Sequence, residues 1–217
     1  IVSANIGDSI VGASGDTGAS VGHKKGTTFK DFENAIADVA VGMVKRERTM
    51  TDGEKDIVAH HEAGHAIVAY LLKQCQPPVK VSIIPRGEAA LGYSQQEPTD
   101  QKLYSKEELF GRMCVLLGGR VAEEETFKKI TTGASDDIQK LTKIAYGIVS
   151  MYGMSKSIGE LNMMDSDNPY KDVISQKTKE KIDAEVHKLV SAAKDTTRRL
   201  VDKYHTELKK IASYLLE

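Results

Sequence analysis

The sequence has few of the features that mark several common classes of protein. It contains only two cysteines, Cys75 and Cys114, and its formal net charge is −1. Two cysteines without metal-site spacing predict free, partly buried thiols in a reducing compartment rather than a disulfide framework. The near balance of charge argues against nucleic-acid binding, which usually needs a basic surplus.

Long apolar runs are also missing. A membrane-spanning helix needs about 20 consecutive apolar residues, and no stretch of the chain approaches that length. The chain does not begin with a basic segment followed by an apolar one, as a secretory signal does. We therefore expect a soluble chain, long enough for one domain with an appended subdomain.

The glycine-rich segment at residues 12–20 does not have the pattern of a phosphate-binding loop. It lacks G-x-x-x-x-G-K-[ST], in which backbone amides and a lysine hold phosphate groups. Glycine, serine and alanine without that pattern are typical of a flexible segment. We therefore expect residues 1–27 to be a flexible leader or a degraded remnant of a preceding domain.

A short histidine motif lies within a helical pattern. Residues 61–65 read H-E-x-x-H, and apolar residues recur around them at helical spacing. Because a helix turns once per about 3.6 residues, His61 and His65 lie one turn apart on one face and can share a zinc ion. Glu62 points to the side, where it can take a proton from zinc-bound water without being a ligand. An ordinary amphipathic helix with two histidines is the alternative.

A third histidine ligand is not evident. In one class of zinc protease the motif continues as x-x-G-x-x-H, but Val68 and Leu71 stand at those two positions. His60 lies about 100° round the helix from His61 and faces away. Three other histidines fall in the leader or the helical tail, where a surface role is expected: His23, His187 and His205.

Carboxylates are the remaining candidates for the third ligand. Asp136 and Asp137 follow a Thr-Thr-Gly-Ala turn; a capping role is expected for Asp136, whereas Asp137 can aim at a partner helix. Glu123 and Glu124 are alternatives, and one of them could instead hold the second nitrogen of a ligand histidine. Spacing alone does not choose among these residues.

The remaining pattern predicts a mainly α fold with a small β-sheet (α+β). Capping boxes at Thr51 and Ser105 predict one helix that carries the histidine motif to about residue 73 and a second helix interrupted at Gly118-Gly119. Two further helical regions follow. One is a helix capped by Ser135 or Asp136, and the other is a helical tail from Ser175 that is broken near His205.

An alternating strand is predicted at residues 79–84, with a weaker one at 91–95. The first strand could offer an edge to which substrate adds, through Val79, Val81 and Ile83.

Several segments, in order, resemble the membrane-anchored AAA+ zinc proteases of the FtsH type. Residues 58–66 (VAHHEAGHA) resemble the zinc helix of that family, and residues 81–87 (VSIIPRG) the strand after it. Residues 117–124 (LGGRVAEE) and 131–138 (TTGASDDI) resemble two later motifs, and residues 29–40 (FKDFENAIADVA) the end of the ATPase lid. A colinear series is far more specific than H-E-x-x-H alone.

The resemblance implies a domain order and a third ligand. Residues 1–27 would be a flexible leader or a degraded lid segment. Residues 28–50 would be the end of the lid with its connector, and residues 51–217 the zinc protease domain. The third ligand would be Asp137, from the family's T-G-A-x-x-D motif, with one Zn²⁺ per chain. Residues 102–114 are most similar to the mitochondrial branch, which implies the inner membrane, facing the matrix.

The resemblance also implies partners. The full-length protein would be a homo- or hetero-hexamer, anchored by transmembrane segments outside this sequence, that degrades unfolded or membrane proteins. ATP and Mg²⁺ would be needed only by an ATPase domain. This chain contains no Walker A, Walker B or arginine-finger segment, so we expect no nucleotide site in it.

The resulting hypothesis is a zinc metalloendopeptidase, ATP-dependent in its full-length form, with Glu62 as the base. The alternative is a non-catalytic oligomerisation or assembly module with structural zinc. A structural site needs four protein ligands, and only three good ones are evident. A coiled-coil interaction domain at residues 175–217 lacks sustained heptads.

Overall fold

The computed structural model describes residues 50–85, 92–96, 101–163 and 174–217, together with Thr28, Ala35 and Val39. The chain divides into two compact units, Ile1–Thr49 with Ile84–Tyr93 and Met50–Ile83 with Ser94–Glu217. In the first unit, Ala35 and Val39 are helical. The leader predicted at 1–27 and most of the lid segment predicted at 28–50 lie outside the described residues.

The described residues are mainly helical and include one two-stranded antiparallel sheet, as predicted. Among them, no helix combines the length and the apolar character that crossing a bilayer requires. The elements are α1 (Asp52–Leu71), β1 (Pro78–Ser82), β2 (Tyr93–Gln96), α2 (Lys106–Phe127), a 3₁₀ turn (Thr132–Ala134), α3 (Ser135–Tyr146), a π-helical segment (Gly147–Met151), α4 (Gln176–Lys203) and α5 (His205–Leu216).

Both predicted capping boxes are present. At the start of α1, the Glu54 amide donates to the Thr51 hydroxyl at 3.3 Å, and the Thr51 amide donates to the Glu54 carboxylate at 2.8 Å. At the start of α2, Ser105 and Glu108 exchange the same pair of bonds at 3.2 and 2.7 Å. A cap of this kind contributes about 1 kcal/mol. The two helices that carry most of the site therefore begin where local sequence places them.

Helices α1 and α2 cross with their backbones in contact. A Cβ added to Gly64 would lie 2.4 Å from the Gly118 carbonyl oxygen, and one added to Gly118 would lie 2.6 Å from the Gly64 oxygen. The close packing predicted at the glycine pair is confirmed, but the predicted interruption is wrong, because α2 runs unbroken from Lys106 to Phe127. Glycine costs a helix about 1 kcal/mol relative to alanine, and the close crossing offsets that cost.

The tail helices pack against the crossed pair. Val201 on α4 and Leu208 on α5 are fully buried in the core shared with α1 and α2. The buried hydroxyl of Thr197 donates to the Cys114 carbonyl at 3.1 Å and joins α4 to α2. The tail breaks at Tyr204, between α4 and α5, which confirms the predicted break near His205. Both cysteines are free, and Cys114 is buried, as expected.

The predicted cap of α3 is wrong. Ala134 occupies the N-cap position without a side-chain bond, because the 3₁₀ turn already leads into the helix through a bond from the Ser135 amide to the Thr132 carbonyl. Thr131 caps that turn by accepting from the Gly133 amide at 3.1 Å. Asp136 instead pairs with Lys140 at 2.6 Å. The turn therefore sets the direction in which α3 presents its first residues.

Candidate metal centre

The histidine motif lies in the buried middle of α1. His61, Glu62 and His65 are only 8%, 6% and 8% exposed. The Nε2 atoms of His61 and His65 are 3.0 Å apart, so the two rings converge on one point. The one-turn spacing of the histidines produces the geometry predicted from the sequence.

Asp137, in the first turn of α3, completes this cluster. Its Oδ2 atom lies 3.3 Å from Nε2 of His61 and 3.3 Å from Nε2 of His65. Among the described residues, these three are the one group of possible metal ligands brought together. The first turn of α3 places Asp137 toward α1, whereas Asp136 is exposed and paired with Lys140.

The second nitrogens of both rings have partners. Nδ1 of His65 donates to the Val115 carbonyl at 2.7 Å, and Nδ1 of His61 donates to Oε1 of Glu123 at 2.6 Å. Because a carbonyl or carboxylate oxygen only accepts, the Nδ1 atoms carry the protons. In the neutral rings, both Nε2 atoms then present lone pairs to the point where they converge, as metal-ligating histidines do.

This donor set fits a zinc ion. Tetrahedral zinc with bonds of about 2.0–2.1 Å separates its ligand atoms by about 3.3 Å. The separations among His61, His65 and Asp137 are 3.0, 3.3 and 3.3 Å. Two histidines and one carboxylate are a ligand set of catalytic zinc sites, which keep the fourth position open.

Glu123 supports His61 from α2. Glu123 is 1% exposed, and its Oε2 atom accepts from the Thr131 amide at 2.9 Å. Burial alone would raise the pKa of Glu123, but the hydrogen bond and charge of His61 and the Thr131 amide outweigh burial and lower it. Glu124 is not in the site and pairs with Lys194 at 2.9 Å and Arg198 at 3.1 Å. Of the two glutamates that spacing left open, only Glu123 contacts a histidine.

The charges of the cluster favour a cation. Burial lowers the pKa of His61, but the hydrogen bonds and charges of Asp137, Glu123 and Glu62 raise it to about 9. Burial would raise the pKa of Asp137, but hydrogen bonds from His61 and His65 hold it well below its usual range. Burial also raises the pKa of Glu62, against the opposing charges of the two histidines. The carboxylates of Asp137, Glu123 and Glu62 lie together in one buried site, and this site therefore attracts positive charge.

Two contributors are not evident from side-chain chemistry. A Cβ on Gly119 would lie 2.5 Å from both Cε1 and Nε2 of His61, so Gly119 leaves room for the ring. Its only signal in the sequence is the glycine pair, which predicts close packing but not the partner. The carbonyl of Val115 is a backbone group that every residue has, so the sequence cannot indicate that this one binds His65.

The residues predicted to bind the substrate strand are divided between β1 and the chain after it. Val79 and Val81 lie in β1, which packs against α1, whereas Ile83 follows the end of the strand at Ser82. Val79 is 63% exposed. Within the described residues the sheet has two strands, so each strand has one edge without a partner strand there.

Similarity to known proteins extends over most of the chain. The chain matches Peptidase family M41 over residues 48–217. The ATP-dependent zinc metalloprotease FtsH of Chlorobium luteolum is 44% identical over 205 residues, 91% of this chain and 29% of that protein. The mitochondrial inner membrane m-AAA protease component AFG3L2 of Mus musculus is 43% identical over 195 residues, 87% of this chain and 24% of that protein.

A plant relative is similar to the same degree. The mitochondrial ATP-dependent zinc metalloprotease FTSH 3 of Arabidopsis thaliana is 41% identical over 192 residues, 88% of this chain and 24% of that protein. The chain thus spans less than a third of the length of these curated relatives. The predicted resemblance is confirmed: the chain belongs to peptidase family M41, as a protease domain of the FtsH type.

Proposed function

We propose that residues 51–217 form a zinc metalloendopeptidase domain in which His61, His65 and Asp137 bind one Zn²⁺ and Glu62 is the general base. The observation that carries the proposal is the convergence of three ligand atoms, 3.0–3.3 Å apart, beside the buried Glu62. Membership of a metalloprotease family supports it.

The reaction is hydrolysis of a peptide bond. When bound, zinc would act as a Lewis acid that polarises the scissile carbonyl and lowers the pKa of water. The Glu62 carboxylate takes a proton from the attacking water and then passes it to the leaving amine. Burial raises the pKa of Glu62, and this makes the carboxylate a better proton acceptor than an exposed one.

Neighbouring groups hold the ligands in place. Glu123 and the Val115 carbonyl fix the proton of each ring on Nδ1 and keep Nε2 available. Glu123 is therefore a positioning residue rather than a ligand, because its two oxygens are engaged by His61 and the Thr131 amide. The close approach of Gly119 holds the His61 ring on its other side.

Substrate binding is proposed at β1. An extended peptide that adds to the edge of β1 opposite β2 would use main-chain hydrogen bonds, which do not depend on side chains. Val79 and Val81 would line that edge, with Ile83 next to it. Such binding suits unfolded polypeptides of varied sequence.

For the full-length protein, the proposal follows from the resemblance to the FtsH-type proteases, and the names of several relatives support its ATP dependence. It would be an ATP-dependent hexamer, homo- or hetero-oligomeric, that degrades unfolded or membrane proteins, with ATP and Mg²⁺ bound in an ATPase domain outside residues 51–217. Residues 28–50 would belong to the end of the lid of that domain. Relatives named as mitochondrial inner membrane m-AAA components support that membrane as its location, and we propose that the protease domain faces the matrix.

The test compares wild type with Glu62→Gln, using Glu207→Gln on the exposed side of α5 as the matched control. Metal content is measured by mass spectrometry and hydrolysis with unfolded casein. We expect about one zinc in every protein and at least a hundredfold loss of cleavage in Glu62→Gln alone. Cleavage retained in Glu62→Gln would contradict its role.

Asp137 is tested by its replacement with alanine. We expect the zinc content of Asp137→Ala to fall to near zero, with loss of cleavage, because two histidines alone form an incomplete site. Zinc retained at the wild-type level would exclude Asp137 as a ligand. A wild type that binds zinc without cleaving casein would indicate an intact site that needs the ATPase domain or the hexamer, whereas a wild type without zinc would favour the assembly-module alternative.

A further inference from the structure

A cleft of about 400 Å³ lies between α2 and α3, beside the metal centre. Its volume falls within the range typical of ligand sites. Both helices contribute apolar and polar residues to its lining, and the polar residues are here called its polar rim. The apolar residues are Val115, Leu116 and Ile144, and the polar ones are Gln96, Arg112, Lys140 and Lys143.

The cleft is connected to the metal centre through both helices. Val115 lines it with its side chain and holds the His65 ring with its carbonyl. Ile144 follows Asp137 by two turns of α3, so it lies on nearly the same face and about 10 Å further along the helix axis. An extended peptide covers that distance in about three residues. A substrate side chain that close to the scissile bond can therefore reach the cleft.

The polar rim is positively charged. Lys140 is paired with Asp136 at 2.6 Å, and the Arg112 guanidinium lies 3.9 Å from the centre of the Tyr104 ring. Lys143 forms no ion pair with any residue that the structure describes. The cleft has no carboxylate among its described lining residues. An acidic group of a ligand would therefore meet cations whose charge is only partly neutralised.

We propose that this cleft binds a large apolar side chain of the substrate, within about three residues of the scissile bond, and that Lys143 favours an acidic residue next to it. The preferred substrates would be unfolded segments in which a large apolar residue neighbours aspartate or glutamate. This inference rests on the proposed peptidase function and adds a selectivity that main-chain binding at β1 cannot provide.

Photo-crosslinking locates the apolar side chain without relying on turnover. The whole 217-residue chain, zinc-loaded and carrying Glu62→Gln, is mixed with a peptide that contains benzoyl-phenylalanine next to aspartate. We expect crosslinks to Leu116 or Ile144, identified by mass spectrometry, and about a tenfold lower yield when Ile144→Trp fills the cleft. Crosslinks found only elsewhere would overturn the proposal.

Reversing the charge of Lys143 tests whether the polar rim selects an acidic residue. Two peptides differ only in an aspartate or a lysine beside phenylalanine. We expect wild type to cleave the aspartate peptide with a kcat/KM roughly threefold to tenfold higher, and Lys143→Glu to abolish or invert that ratio. Lys188→Glu, on the exposed side of α4, is the matched control and should keep the wild-type ratio.

The outcomes separate this inference from the proposed function. A wild type with no preference between the peptides, or a preference unchanged in Lys143→Glu, would overturn the inference while cleavage itself upheld the peptidase proposal. A zinc-loaded wild type that cleaves neither peptide but still crosslinks at the cleft would contradict the peptidase proposal and support the binding site.

Discussion

At the scale of single residues, the absence of a side chain at Gly119 matters as much as the side chains that would bind the metal. The ring of His61 occupies the space that a Cβ would fill, 2.5 Å from two of its atoms. Since α2 cannot move away without separating Gly118 from Gly64, the ring itself would have to shift. The position of the first ligand thus depends on a glycine far from it in the sequence.

We predict that Gly119→Ala lowers zinc affinity roughly tenfold to a hundredfold, a loss typical when a group that orients a ligand is disturbed. Alanine favours helix by about 1 kcal/mol, so helix content measured by circular dichroism should be maintained. Zinc affinity is measured by competition with a chelator. Gly53→Ala is the matched control, because nothing lies within 4 Å of a Cβ there; an equal loss in both variants would contradict the prediction.

Adjacent glutamates on α2 offer a second comparison. Glu123→Ala removes the partner of the His61 Nδ1 proton and of the Thr131 amide, and we expect zinc affinity to fall about tenfold to a hundredfold. Glu124→Ala removes only ion pairs to Lys194 and Arg198 at the surface, which contribute about 0–1 kcal/mol each to stability. Its zinc affinity should remain at the wild-type level, and a matching loss there would argue against a specific role for Glu123.

At the scale of elements, the crossing of α1 and α2 determines how the histidines on α1 lie relative to their partners on α2. A Cβ at Gly64 would meet a backbone carbonyl 2.4 Å away, which no rotamer change can relieve. We predict that Gly64→Ala destabilises the protein by about 1–3 kcal/mol, the cost of overpacking a core. The measurement is urea unfolding of the metal-free protein. A free energy of unfolding equal to that of wild type would show that the helices can separate without loss.

The capping box of α2 makes the stability of the folded protein depend on pH. The hydrogen bond from the Gln101 side chain and those from the Ser105 amide and hydroxyl lower the pKa of Glu108 from 4.5 to about 2. Because the folded pKa lies below the unfolded one, this carboxylate adds stability above about pH 4.5, and that stability is lost as the pH falls toward 2. Wild type should therefore have a higher urea midpoint than Glu108→Gln at pH 7, with the difference narrowing at pH 3. A constant difference would contradict this account.

Local chemistry explains which elements were predictable from sequence. The starts of α1 and α2 follow from capping boxes, which act within four residues, and the histidine pair follows from helix geometry alone. A glycine pair does not predict a single structure, because glycine can end a helix or permit two helices to cross closely. Here the position of Gly64 opposite the pair shows that the second applies. The cap of α3 was mispredicted because the 3₁₀ turn removes the need for a side-chain cap. The Val115 carbonyl and the choice of Asp137 depend on how distant helices dock.

At the scale of the whole molecule, the protease unit is held together by its core rather than by its metal site. Helices α4 and α5 bury Val201 and Leu208 in the core shared with α1 and α2. We predict that removing zinc with a chelator leaves the helices folded and lowers the free energy of unfolding by about 2.7 kcal/mol relative to zinc at a hundred times its Kd. The measurement is thermal unfolding followed by circular dichroism. The stability of Asp137→Ala should not change with the chelator. A similar loss of stability in wild type and Asp137→Ala would show that the chelator acts outside the metal site.

The ligands of the candidate centre are far apart in the sequence, since Asp137 follows His61 by 76 residues. A nascent chain that has emerged from the ribosome only as far as α2 carries the two histidines and the glutamate base but not the third ligand. The hydrogen bond that Glu123 accepts from the Thr131 amide forms only after the segment before α3 has docked. Under the proposed mechanism, a nascent chain that ends before α3 therefore carries an incomplete active centre and cannot cleave its neighbours.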